Sequence, residues 1–204
     1  MKQPLEIAVY FDYICPWCYV ATMRLLMLKS EFGEKITINW KSYPLDPFGA
    51  RPKYPLPLLN QGRIRAGAEE DGLNIRPWPE DQPMPSSSMP AHKSAKCAQM
   101  QGNEAFDHYH IALMKAYFSH CRDISDQQVL ISLAEEAQLD LIEFIADFES
   151  DLPESRVLAE YEEAVNDGNI IGVPTVIIGE RVVLEAAVPL ELYRRAVQRL
   201  SQQE

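Results

Sequence analysis

No apolar run in the 204 residues approaches the ~18 consecutive positions that a membrane-spanning helix needs. The opening stretch Met1-Lys2-Gln3-Pro4-Leu5-Glu6 lacks an apolar core and a small-residue cleavage pattern, so no export signal is expected. Basic charge is scarce: 19 Lys and Arg stand against 30 Asp and Glu, a formal charge of −11. Nucleic acid and anionic membrane surfaces, which call for basic patches, are therefore not expected partners. Cysteine is limited to four residues. Four thiols without an export signal argue against a structural disulfide framework and for a reducing, cytoplasmic setting, where a close cysteine pair is catalytic or metal-binding. No internal repeat is present. What remains is a globular composition, 47% apolar, long enough for one core or for a domain with a sizeable insertion.

Two of the four cysteines stand two residues apart, in Asp12-Tyr13-Ile14-Cys15-Pro16-Trp17-Cys18-Tyr19-Val20. Before them, Leu5, Ile7, Val9 and Phe11 alternate with Glu6, Ala8 and Tyr10 at the period of a strand. After them, Val20–Phe32 is apolar nearly all round, the pattern of a buried helix, and Gly33 is placed to end it in the left-handed region. A Cys-x-x-Cys on the first turn of a helix brings both sulfurs within disulfide geometry. The unpaired N–H groups and dipole of that turn favour negative charge on Cys15, which makes it the attacking sulfur and Cys18, one turn deeper, the resolving one. Pro16 suits the first helical position because it has no N–H to satisfy. Zinc is the alternative, but it needs about four ligands, commonly from two such pairs. Cys97 and Cys121 are far apart, and His92, His108, His110 and His120 show no ligand spacing, so neither metal nor cofactor is expected.

Ile36–Lys41 reads as a second strand, which makes residues 5–43 a βαβ unit. Ten of the fifteen prolines fall between Pro44 and Pro90, Pro52 among them. That density excludes long helices and central strands and suggests an ordered, irregular excursion with at most a short helical piece between Gly62 and Gly72. From Ser94 to Ser150 the period is helical: one helix capped by Asn103, one opened by a capping box at Ser125-Asp126-Gln127-Gln128, one opened by Asp140. A further helix spans Leu152–Asp167 and stops at Gly168. Thr175–Ile178 reads as a strand, Gly179-Glu180 as a II′ turn, Arg181–Leu184 as the returning strand and Leu190–Leu200 as a closing helix. A cis Val173–Pro174 bond at the start of that third strand would present Val173 backbone groups beside Cys15, where they could pair with an extended substrate. An ordinary trans proline is the competing reading.

Cys15-Pro16-Trp17-Cys18 after a strand, with Gly172-Val173-Pro174-Thr175 before a hairpin and a final helix, resembles the thioredoxin superfamily, and the long helical insert resembles its DsbA branch. The phrase Ala116-Tyr117-Phe118, then Arg122-Asp123-Ile124-Ser125-Asp126, Val129-Leu130 and Leu133-Ala134, resembles the FrnE-type members that lack an export signal. The resemblance implies a mixed α/β thioredoxin fold with a large α-helical insertion, residues 1–45 plus 151–204 forming the thioredoxin domain and 46–150 the inserted part. It implies thiol–disulfide exchange with Cys15 as nucleophile, Cys18 as resolver and Val173 and Pro174 as a cis, substrate-facing loop. Partners on this reading are protein or small-molecule thiols and disulfides, with glutathione as a candidate. Monomer and homodimer both stay open. Trp17 replaces the histidine of exported DsbA enzymes, so a less oxidising couple is expected. Kappa-class glutathione transferases and 2-hydroxychromene-2-carboxylate isomerases share the architecture but carry serine where Cys15 stands, which leaves a glutathione-dependent isomerase as the second reading.

Pro16, Trp17 and Tyr13 are expected to form an apolar rim for substrate, and Asp12 to relay a proton or cap the helix. His110, on an apolar helix face, is expected in the core. Cys97 and Cys121 are either buried and inert or a second redox pair.

Overall fold

A computed structural model describes residues 3–49, 54–70, 72–168 and 170–202. Met1, Lys2 and Pro52 lie outside them. Two parallel strands, β1 (Leu5–Phe11) and β2 (Ile36–Ser42), are joined by helix α1 (Pro16–Phe32). The chain then leaves the sheet through α2 (Leu56–Gly67), α3 (Met89–Met100), α4 (Asn103–Phe118), α5 (Gln127–Glu136), α6 (Leu141–Glu149) and α7 (Leu152–Glu162), the last running into a π turn at Glu163–Asp167. It returns as the hairpin β3 (Thr175–Ile178) and β4 (Val182–Glu185) and closes with α8 (Leu190–Ser201). Strand order is β2-β1-β3-β4, with β3 antiparallel to both of its neighbours.

The period-two pattern of β1 decides which layer covers which face. Ile7, Val9 and Phe11 join Ile36, Trp40, Val176 and Ile178 in the main core, with α1, α4 and α8. Ala8 and Tyr10 point the other way, into a smaller cluster with Tyr43, Tyr161, Ala164 and Ile170, so α7 and its π turn cover the second face. The expected βαβ unit and hairpin are thus present.

Several local expectations need correction. The proline-rich stretch holds a twelve-residue helix, α2, because Pro57 sits in its first turn, where its lack of an N–H costs nothing. Pro90 plays the same part in α3, which starts at Met89, before Ser94. Gly102, with φ 125°, precedes α4 and makes Asn103 its first helical residue instead of its cap. The cap of α5 is Asp126, whose carboxylate accepts from Gln128 N, while Ser125 turns back to Asp123. Asp140 caps α6 as expected. The helix after Leu152 ends at Glu162, before the π turn. Gly33 has positive φ, but its ψ of −129° lies outside the left-handed helical region. The hairpin turn has positive φ at both Gly179 (57°) and Glu180 (58°), the signature of a I′ and not a II′ turn. A Cβ at Gly179 would also press on Leu5 Cδ1 at 2.8 Å, a side-chain methyl that would have to shift.

Candidate active site

The strand register builds the site. Tyr10 pairs with Thr175, so the residues just before β3 lie across from those just after β1. Cys15 is the N-cap residue of α1, with extended backbone (φ −87°, ψ 112°), and Pro16 follows at the first helical position. Its carbonyl accepts from Cys18 N at 3.0 Å, which starts the helix. On the facing loop the Val173–Pro174 bond is cis. The Cys15 thiol donates to the Val173 carbonyl at 3.6 Å, a contact spanning 158 positions of sequence. The two motifs meet.

Cys15 and Cys18 are both free thiols. Cys15 retains 7% exposure and Cys18 only 1%. Burial pushes the Cys18 thiol well above its ordinary value, and its hydrogen bond to Cys15 adds to the shift. Cys18 therefore holds its proton until the chemistry draws it off. Pro16, Trp17 and Val173 are half-buried beside the sulfur, and Ile171, just ahead of Gly172, is almost fully exposed.

Tyr13 does not join that rim. It is fully buried, edge-on to Phe11, with its hydroxyl 2.9 Å from His110 Nδ1.

Asp12 is also fully buried, and its carboxylate is occupied on all sides. Oδ1 accepts from Ile14 N at 3.1 Å and faces His92 Nε2 at 3.3 Å. Oδ2 accepts from Leu45 N at 2.6 Å and from Ser88 Oγ at 3.1 Å. A carboxylate has about four lone-pair sites, and four donors fill them. That leaves none aimed at a sulfur, so a proton-relay role for Asp12 does not fit the geometry. Its backbone N–H, in contrast, points at Cys18 Sγ at 3.5 Å. Ser88 and His92 were not legible as site residues. The one sequence signal is a serine two positions before Pro90, a helix-start pattern, and here its hydroxyl reaches Asp12 and not the end of α3.

His110 is a core residue, as expected. Burial is the main cause that lowers its basicity to about 3, with His92 and Lys96 adding to it. The imidazole is neutral in the folded chain and protonates near 6.5 when unfolded. A group depressed in the native state gives stability that is complete above the unfolded value and drains as pH falls toward the folded one. Denaturant melts at pH 6.5 and 4.5 are expected to differ by about 2–3 kcal/mol more in the wild type than in His110→Phe. Equal slopes in the two proteins would remove the assignment.

The other two cysteines are also buried free thiols, on different partners. Cys97 on α3 donates to the Lys93 carbonyl, and burial pushes its thiol up to about 12. Cys121 sits in the left-handed region (φ 51°) against the Pro77 carbonyl and Arg63. Among the described residues no group of three or more His, Cys, Asp and Glu side chains is placed to hold a metal ion.

Comparison with known proteins agrees with this architecture. A family model described as a DSBA-like thioredoxin domain matches residues 6–198. The uncharacterised protein YwbO of Bacillus subtilis is 30% identical over 198 residues, covering 90% of this chain and 91% of its own. The ClpXP adapter SpxH of the same organism is 31% identical over 175 residues, but this chain covers 57% of its length. Among solved structures, a probable DsbA oxidoreductase of Streptomyces coelicolor superposes with a TM-score of 0.82 at 22% identity, over 98% of this chain and 91% of that one. The cytosolic disulfide reductase DsbM of Pseudomonas aeruginosa does so with a TM-score of 0.75 at 17% identity, over 98% of both chains. At such identities these structures speak for the fold. No helix among the described residues is long and apolar enough to cross a membrane.

Proposed function

Because the chain belongs to the DsbA-like thioredoxin family, we propose that it is a thiol–disulfide oxidoreductase working through Cys15, Cys18 and the cis-Pro174 loop. The observation that carries this reading is the Cys15 Sγ to Val173 O contact, which sets the more accessible thiol of the pair against a loop from the far end of the sequence. In the reducing direction Cys15 attacks a substrate disulfide and forms a mixed disulfide. The Cys18 sulfur then attacks Cys15, releases the second substrate thiol and leaves Cys15–Cys18 oxidised. In the oxidising direction the same steps run backward. Val173 offers backbone groups to an extended substrate segment, and Pro16, Trp17 and the exposed Ile171 offer it apolar contact.

Glutathione enters as the small-thiol partner. The chain superposes on the DsbM structure that contains glutathione with a TM-score of 0.73. A cytoplasmic place of action belongs to the same reading. So does the division into a thioredoxin part, residues 1–45 plus 151–204, and an inserted part, 46–150. The first carries both sulfurs and the cis loop, and the second reaches the site through Ser88 and His92. A 2-hydroxychromene-2-carboxylate isomerase shares the fold with a TM-score of 0.67. The presence of two thiols at the helix tip favours electron exchange over isomerisation.

Equilibration in glutathione buffers of graded poise, with the thiols trapped and mapped by mass spectrometry, tests the reading. The expected result is one two-electron transition that joins Cys15 to Cys18 and leaves Cys97 and Cys121 reduced. With no cation at Trp17, the midpoint is expected below the roughly −120 mV of the strong oxidant DsbA. A protein that shows no such transition is not a dithiol oxidoreductase.

A further inference from the structure

Asp12 ties together three stretches that sequence keeps apart. Its carboxylate is gripped by Ile14 N within the cysteine loop, by Leu45 N where the proline-rich excursion begins, and by Ser88 Oγ and His92 Nε2 where that excursion ends. None of the four donors belongs to a lysine or arginine, and both side chains are buried: Ser88 is 2% exposed and His92 0%. His92 is wedged against Phe11 and Tyr13, so its ring has little freedom to leave the carboxylate. One residue's backbone thus lies between this grip and the sulfur of Cys18, which receives the Asp12 N–H.

We propose that His92 and Ser88 are positioning residues for the resolving step: by fixing the Asp12 carboxylate they hold the Asp12 N–H on the Cys18 sulfur. The argument is one of differential binding. An N–H donating to a neutral thiol at 3.5 Å is a weak contact. The same N–H donating to a thiolate is charge-assisted and stronger. It therefore assists the step in which Cys18 becomes an anion and does little for the resting thiol. This rests on the oxidoreductase reading. In the step concerned, the Cys18 sulfur forms a bond to Cys15 Sγ and the bond from Cys15 Sγ to the substrate sulfur breaks. The pair is oxidised to a disulfide, the substrate sulfur is reduced to a thiolate, and the proton lost by Cys18 ends on that leaving thiolate through solvent. Cys15's own attack, which precedes this, does not use the Asp12 N–H.

The two steps can be read separately by mixing reduced protein with one equivalent of dithiobis-nitrobenzoate. Attack by Cys15 releases the first coloured thiolate and resolution by Cys18 releases the second. His92→Phe keeps the aromatic packing and removes the donor to Asp12. It is expected to leave the first phase within about twofold and to slow the second about tenfold, the scale of a lost charge-assisted hydrogen bond. His92→Gln, whose amide can donate to Asp12, is expected to recover most of the rate. Ser88→Ala, a smaller change that serves if His92→Phe does not fold, is expected to slow the second phase about threefold. Both phases slowing together, or a second phase unchanged in both variants, would overturn the proposal. A wild type that releases only one equivalent would instead overturn the oxidoreductase reading on which it rests.

Discussion

Cys15→Ser is expected to lower dithiothreitol-driven reduction of insulin, measured above the uncatalysed rate, by at least about a thousandfold, while Cys18→Ser, given a disulfide substrate with no added dithiol, stops after one attack. The asymmetry follows from where the two sulfurs sit. Cys15 keeps some exposure, caps the first turn of α1 and faces Val173 O on the cis loop. A serine there retains the position, but its hydroxyl is a far poorer nucleophile and cannot form the mixed disulfide at all. Cys18 lies one turn deeper, almost sealed, and its raised thiol makes it a poor first attacker of an external disulfide. Its work is intramolecular, where proximity replaces accessibility. Losing it leaves the mixed disulfide without an internal resolver, so with no dithiothreitol present Cys18→Ser should accumulate a covalent adduct visible as added mass on Cys15. Insulin reduction by Cys15→Ser within tenfold of wild type would sink the assignment, as would an adduct forming on Cys18 first.

The parts of this site that were legible in the sequence are those fixed by local rules. A thiol pair between an alternating strand and an all-apolar helix can sit only at the helix tip, and Pro16 marks the first turn. The facing loop was legible because Pro174 opens a strand, although its meeting with Cys15 depended on register, which the resemblance supplied and the pairing of Tyr10 with Thr175 now explains. What stayed hidden depends on long-range closure. Asp12 looks like a free acid beside a thiol until Leu45, Ser88 and His92 converge on it from positions 33 to 80 residues away. Tyr13 looks like a rim aromatic until His110, 97 positions on, takes its hydroxyl into the core. The proline count misled for another reason. Proline breaks helices from within yet opens them from the first turn, and composition does not distinguish the two positions.

The largest stability effect outside the sulfur chemistry is expected at Arg63, which composition alone would assign to the surface. Its side chain on α2 is 2% exposed. The guanidinium donates to Arg76 O at 2.6 Å and to Tyr117 O and Phe118 O at 3.0 and 3.1 Å. It lies against the rings of Trp78, Tyr117 and Phe118, 4.8–5.5 Å from their centroids. Burial lowers its basicity, and exchanging a buried cation for an apolar side chain of similar volume is often neutral or stabilising. Here the partners decide otherwise. Two of the three carbonyls belong to the last turn of α4, which by helix geometry has no internal donors for them; Phe118 O also accepts from Arg76 N at 2.9 Å, but Tyr117 O and Arg76 O take their donor from the guanidinium, and a substitution at position 63 cannot remove them. Arg63→Met fills the space and takes the guanidinium donor from Tyr117 O and Arg76 O, while Phe118 O keeps the Arg76 N–H, at about 2–3 kcal/mol in total. Arg63→Ala adds a cavity among three aromatic rings, for about 4 kcal/mol and a fall in Tm of roughly 8–15 °C. Thermal melts of the two variants check both figures. Since Arg63 also pins α2 to α4, the same loss should loosen the excursion whose two ends Asp12 holds, so limited proteolysis of Arg63→Ala is expected to cut between Pro55 and Pro79 before any other site. An Arg63→Met protein as stable as wild type would mean that Tyr117 O and Arg76 O find other donors, and that the cation, with its desolvation cost, adds nothing net.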